Sequence, residues 1–131
     1  MIGLLVVAHA GVARELLAAA EMIVGKLELA ETVGVDASAS AGEVMNAIKE
    51  AVGRVSGDGA IVMTDMFGGT PSNMSLSFLQ EGKVEVVTGV NLPMLIRFTQ
   101  DRERCGVHDL ALKLRDSGRE GISVAGDYLK K

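Results

Sequence analysis

A doubly wound α/β fold, with helices on both faces of a mostly parallel sheet, is what the sequence predicts. Three observations predict it. Short apolar runs alternate with stretches of helical periodicity. Those runs are unbroken rather than alternating, as in strands covered on both faces. The chain also has 131 residues, 48% of them hydrophobic, which suffices to bury roughly two-thirds of the surface of its unfolded form.

The first strand is expected at residues 2–8, IGLLVVA. Leu16, Leu17, Ala20, Ile23 and Val24 then recur at helical spacing, which gives a helix over 13–24 with Gly25 just past its end. A second strand is read at 32–35. Ser40 and Glu43 stand at capping-box spacing ahead of Val44, Ile48, Ala51, Val52 and Val55, so a helix follows over 41–56. Gly57, Asp58 and Gly59 break it before a buried strand at 60–63. The next segment, DMFGGTP, leads into a third helix running to about residue 81. There Thr70 is the expected N-cap, Pro71 the first helical residue and Gly82 the terminator. A fourth strand is expected at 83–88, helices at 93–102 and 107–117, the latter stopped by Gly118, and a last short strand at 121–125. No repeat or linker interrupts the order, so a single domain spanning 1–131 is expected.

Composition removes several functions. Thirteen basic against seventeen acidic residues leave a net charge of −4, and four aromatic residues offer no stacking platform, so no nucleic-acid partner is expected. The same scarcity of aromatics disfavours a flavin. Cys105 is the single cysteine, which suits a reducing, cytoplasmic setting, and no secretion signal or membrane span is read in the chain. A phosphate-binding G-x-x-x-x-G-K-[ST] run is absent, and so are a G-x-G-x-x-G turn after the first strand and an acidic cluster at that strand's end. A cysteine-phosphatase loop is ruled out because Ala111 stands where its arginine would be. Cys105 reads as a lone thiol in a polar loop, His108 as a solvated helix residue without a partner, and residues 101–104 as a solvated helix end.

Doubly wound folds place their sites beyond the carboxyl ends of the strands, where neighbouring strands send their connections to opposite faces. In a flavodoxin-like strand order the first and third strands meet there, and their ends carry His9 and Asp65. A lone histidine at a strand end can equally be a hydrogen-bonded core residue. With Asp65 adjacent, however, the carboxylate can accept Nδ1–H and leave Nε2 as an oriented nucleophile. Gly68, Gly69 and Thr70, at the start of the third helix, are suited to hold an anion such as phosphate. An ordinary strand-to-helix turn would also use such glycines.

Four segments in matching order resemble the mannose-family IIA component of the bacterial sugar phosphotransferase system. They are the first strand with His9 and Gly11, Asp65 to Asn73, Gly89 to Met94, and Gly118 to Gly121. The resemblance implies that His9 is phosphorylated by the phosphocarrier HPr and passes the group to a IIB component, which serves the membrane components IIC and IID. It further implies that Asp65 is the partner of His9, that Thr70 lies near the phosphate, and that a homodimer forms by exchange of the C-terminal strand. No cofactor and no metal are expected, because the protein partners complete the site. The family often carries tryptophan where this chain has Phe67, so a ring is kept and an indole N–H is lost. A regulatory phosphohistidine module, signalling without sugar transport, carries the same residues. Neighbouring genes for the IIB, IIC and IID components separate the two.

Overall fold

The computed structural model describes residues 1–130. Among them, four strands form one sheet: β1 (Gly3–His9), β2 (Ala30–Val35), β3 (Ala60–Thr64) and β4 (Val84–Thr88), in the order β2-β1-β3-β4. All three pairings are parallel, with His9 opposite Val35 in the register between β1 and β2.

Strand alternation divides the core in two. Leu4, Val6, Ile61 and Met63 face one side, where they pack with Ala13 and Ala20 of α1 (Val12–Val24), Leu95 and Phe98 of α4 (Leu92–Asp101), and Leu110 and Leu114 of α5 (Val107–Glu120). Leu5, Val7 and Val62 face the other side, against Val44 and Ile48 of α2 (Ala41–Val55) and Met74 of α3 (Thr70–Ser75). The capping box is present: Ser40 Oγ accepts from the Glu43 main chain at 3.1 Å, and the Glu43 carboxylate accepts from the Ser40 main chain at 3.2 Å. Strand β1 thus sends its connection to one face through α1, and its neighbour β3 sends its own to the other through α3. That divergence opens a crevice at the carboxyl ends of these two strands.

Several expectations are corrected. Residues 121–125 form no strand. The chain leaves α5 at Gly121 and ends in a short helix, α6 (Ala125–Tyr128), with Ile122 and Val124 largely exposed. An apolar stretch becomes a strand only if a sheet edge pairs with it, and no strand pairs with these residues among the described ones. The third helix is shorter than expected. Ser75 Oγ turns back to the Pro71 carbonyl, the chain tightens into a 3₁₀ turn at Leu76–Phe78, and Gln80 bonds to Val84. Gly69, not Thr70, is its N-cap. Gly118 does not end α5 but is buried within it, where a Cβ would stand 2.8 Å from the Met94 side chain. Asp101 and Arg102 are not solvated either: each is 8% exposed, and Arg102 Nε and its terminal nitrogen donate to the Ile2 carbonyl at 3.0 and 2.7 Å. A guanidinium is tolerated there because its donors are used and its face lies over the Phe98 ring.

Candidate functional site

His9 is the last residue of β1, and Asp65 is the first residue beyond β3, so the β1–β3 pairing brings them side by side. Asp65 Oδ2 accepts the His9 main-chain N–H at 2.9 Å and faces His9 Nδ1 at 2.7 Å. The aspartate side chain is 19% exposed and the histidine side chain 48%. Burial is the largest single influence on Asp65 and opposes its ionisation. The bonds from the His9 main chain and ring together outweigh it, and the carboxyl is held below the ordinary carboxylate range. An ionised carboxylate only accepts, so Nδ1 carries a hydrogen toward it, and in the neutral ring that leaves the lone pair on Nε2. The second oxygen, Oδ1, is buried with no hydrogen-bond partner among the described residues.

The free edge of the ring faces the turn that opens α3. A Cβ added to Gly69 would stand 3.0 Å from His9 Cε1 and 3.5 Å from Nε2. Gly69 has an extended backbone, φ −81° and ψ 169°, which any residue could adopt, so its lack of a side chain matters as space. Gly68 differs: its φ of +88° is the left-handed conformation that favours glycine. Its carbonyl accepts from Asn73 Nδ2 at 3.3 Å, and the Gly69 carbonyl accepts from the Asn73 main chain at 2.9 Å. Thr70 shares a cleft of about 560 Å³ with His9, walled also by Ala10, Val35, Asp36 and Met74. The structure therefore gathers His9, Asp65, Gly69 and Thr70 in one place, with Gly68 shaping the turn beside them.

Three features of this site were not singled out from sequence. Asp36 places an exposed carboxylate in the cleft. Met66 Cγ lies 3.6 Å from the same hypothetical Gly69 Cβ, next to the largely exposed Phe67. Ala10 has a φ of +50°, unusual for a residue with a side chain. A glycine within the strand at 34 was the available signal for the third, since such glycines mark close approach of another backbone. His108 is solvated as expected but has a partner, and Cys105 is the expected free thiol in the loop between α4 and α5. The exposed His108 ring faces Glu85 Oε2 at 3.4 Å, on a groove beside β4 that His9 does not line. Cys105 is half-buried, its Sγ 3.5 Å from the Asp101 carbonyl.

This is a doubly wound α/β protein with an aspartate-paired histidine at its switch point. Residues 3–114 match the family described as PTS system fructose IIA component, and the chain belongs to that family. Over 72 residues it is 33% identical to the PTS system fructose-specific EIIA component of Bacillus subtilis (strain 168), a match covering 54% of this chain. That match spans 49% of the relative, about half its length. The fold is similar to that of phosphotransferase system component EIIA from Streptococcus agalactiae, with TM-score 0.89 and 30% identity, covering 97% of this chain and 99% of that one. It is also similar to the mannose/sorbose specific IIA subunit of the phosphotransferase system from Enterococcus faecalis, with TM-score 0.80 and 29% identity, covering 94% and 93%. No helix among the described residues is long and apolar enough to cross a membrane.

Proposed function

We propose that the protein is a cytoplasmic phosphoryl carrier of a sugar phosphotransferase system, accepting the phosphoryl group from phospho-HPr on His9 and handing it to a IIB component that serves the IIC and IID membrane components. The observation that carries this reading is the 2.7 Å contact between His9 Nδ1 and Asp65 Oδ2, which leaves Nε2 free at the mouth of a cleft. In the acceptance step the Nε2 lone pair forms a bond to phosphorus as the bond to the donor's histidine nitrogen breaks, and the electron pair returns to that nitrogen. Asp65 keeps the Nδ1 hydrogen and offsets the positive charge that develops on the ring. Gly69 leaves room for the arriving group, and the main-chain N–H groups at the Gly68–Thr70 turn meet its oxygens. Transfer to the IIB component reverses these roles, with phospho-His9 as donor.

The reading includes a homodimer. Beyond the Gln80–Val84 bridge, no strand pairs with the outer edge of β4 among the described residues, and the apolar residues Ile122 and Val124 are exposed, so a C-terminal segment exchanged between two copies would cover both. Incubation with phosphoenolpyruvate, enzyme I and HPr tests the carrier role. Acid-labile phosphate should accumulate on the parental protein and be lost in a folded His9→Ala variant. Undiminished labelling of that variant would overturn the reading.

A further inference from the structure

We propose that Gly34, on the edge strand β2, is a positioning residue for His9: its missing side chain makes room for the carbonyl of Ala10, and that carbonyl's place fixes the turn from which the histidine projects. Ala10 follows His9 directly and adopts the left-handed conformation, φ +50°, that residues with side chains rarely take. Strained backbone of this kind persists only where its surroundings hold it. Here the Ala10 N–H bonds to the Val35 carbonyl at 2.9 Å, and the Gly11 carbonyl accepts from Glu15 at 3.1 Å as α1 begins. The turn is thus tied on both sides, and its remaining boundary is Gly34. A Cβ there would stand 2.6 Å from the Ala10 oxygen and 3.7 Å from its carbonyl carbon. Those are backbone atoms, which cannot swing aside as a side chain would.

Gly34 has no conformational reason to be glycine. It sits within β2 opposite Ala8, and its φ is not left-handed. Val33 and Val35 pack into the second core, so alternation turns position 34 to the other face, where the Ala10 carbonyl lies. Glycine weakens a strand, so propensity alone would favour almost any other residue here. Space for the turn is what position 34 supplies. Displacing that turn moves the residue whose main-chain N–H and ring are both bonded to Asp65.

The transfer readout rests on the carrier reading above, while the spectroscopic one does not. The experiment compares the parental protein, Gly34→Ala and the double variant Gly34→Ala/Ala10→Gly, in which the turn regains freedom to move its carbonyl. For each, phosphoryl transfer from phospho-HPr is measured beside the ring ¹⁵N signals of His9 and the urea midpoint. Gly34→Ala should slow transfer by about 10- to 100-fold, as expected when a reacting group is misplaced by about an ångström. Its ring signals should shift from a fixed Nδ1–H tautomer toward a mixture, and the double variant should recover most of both. Transfer within twofold of parental with unchanged ring signals in Gly34→Ala would overturn the proposal. So would losses that the double variant does not recover, including failure of both variants to fold. If the parental protein takes no phosphate from HPr, the carrier reading fails, and the ring signals alone decide the role of Gly34.

Discussion

Asp65 Oδ2 holds His9 twice, taking the main-chain N–H at 2.9 Å and the ring Nδ1 at 2.7 Å. One oxygen therefore fixes both the end of β1 and the orientation of the imidazole. Asp65→Asn keeps the shape and removes the charge, and it should slow transfer from phospho-HPr by about one to three powers of ten, comparable to losing a positioned electrostatic group. Asp65→Ala should be as slow or slower. Stopped-flow transfer rates read beside urea midpoints check this. Parental rates in Asp65→Ala would remove Asp65 from the chemistry.

The same pair predicts a pH dependence of stability. The folded-state pKa of Asp65 lies below its unfolded value, so its contribution is fully present above the unfolded value, near 4, and is lost as pH falls through the folded value. Urea midpoints of the parental protein and Asp65→Asn should differ above about pH 4 and converge as pH falls below it and the carboxyl takes up its proton. A difference that persists undiminished well below pH 4 would contradict the assignment.

Gly69→Ala separates space from conformation. Its backbone tolerates a side chain, but the new Cβ would press on His9 Cε1 at 3.0 Å. The urea midpoint should stay near parental while transfer falls by about 10- to 100-fold, as for a displaced reacting group. Unimpaired transfer would show that the ring has room to spare.

Much of this arrangement was legible in the sequence, for physical reasons that can be named. Residues 2–8 and 60–63 are unbroken apolar runs, which only a strand buried on both faces requires, and they led directly to His9 and Asp65 at adjacent strand ends. The Ser40 and Glu43 capping box is a local device, and local devices can be read without the fold. What escaped depends on contacts distant in sequence. The charged residues at 101–104 read as solvated, yet Arg102 is buried because the Ile2 carbonyl, a hundred positions away, accepts its donors. Gly118 read as a helix stop, yet it is a close-packing position against Met94 on α4. The apolar residues at 121–125 carry a strand's composition, but composition names no partner strand.

That C-terminal segment supplies a test of assembly. Light scattering at micromolar concentration should give twice 13.7 kDa for the full chain, and truncation before Gly121 should give a monomer. A monomeric full chain, or an unchanged dimer after truncation, would contradict the strand exchange.

The most direct test of the central claim is the site of phosphorylation at atomic level. After phosphorylation through enzyme I and HPr, a long-range ¹H–¹⁵N spectrum of the protein distinguishes the two ring nitrogens. Phosphate should appear on Nε2 of His9, with the hydrogen retained on Nδ1 against Asp65. Phosphate on Nδ1 of His9, or on His108, would contradict it.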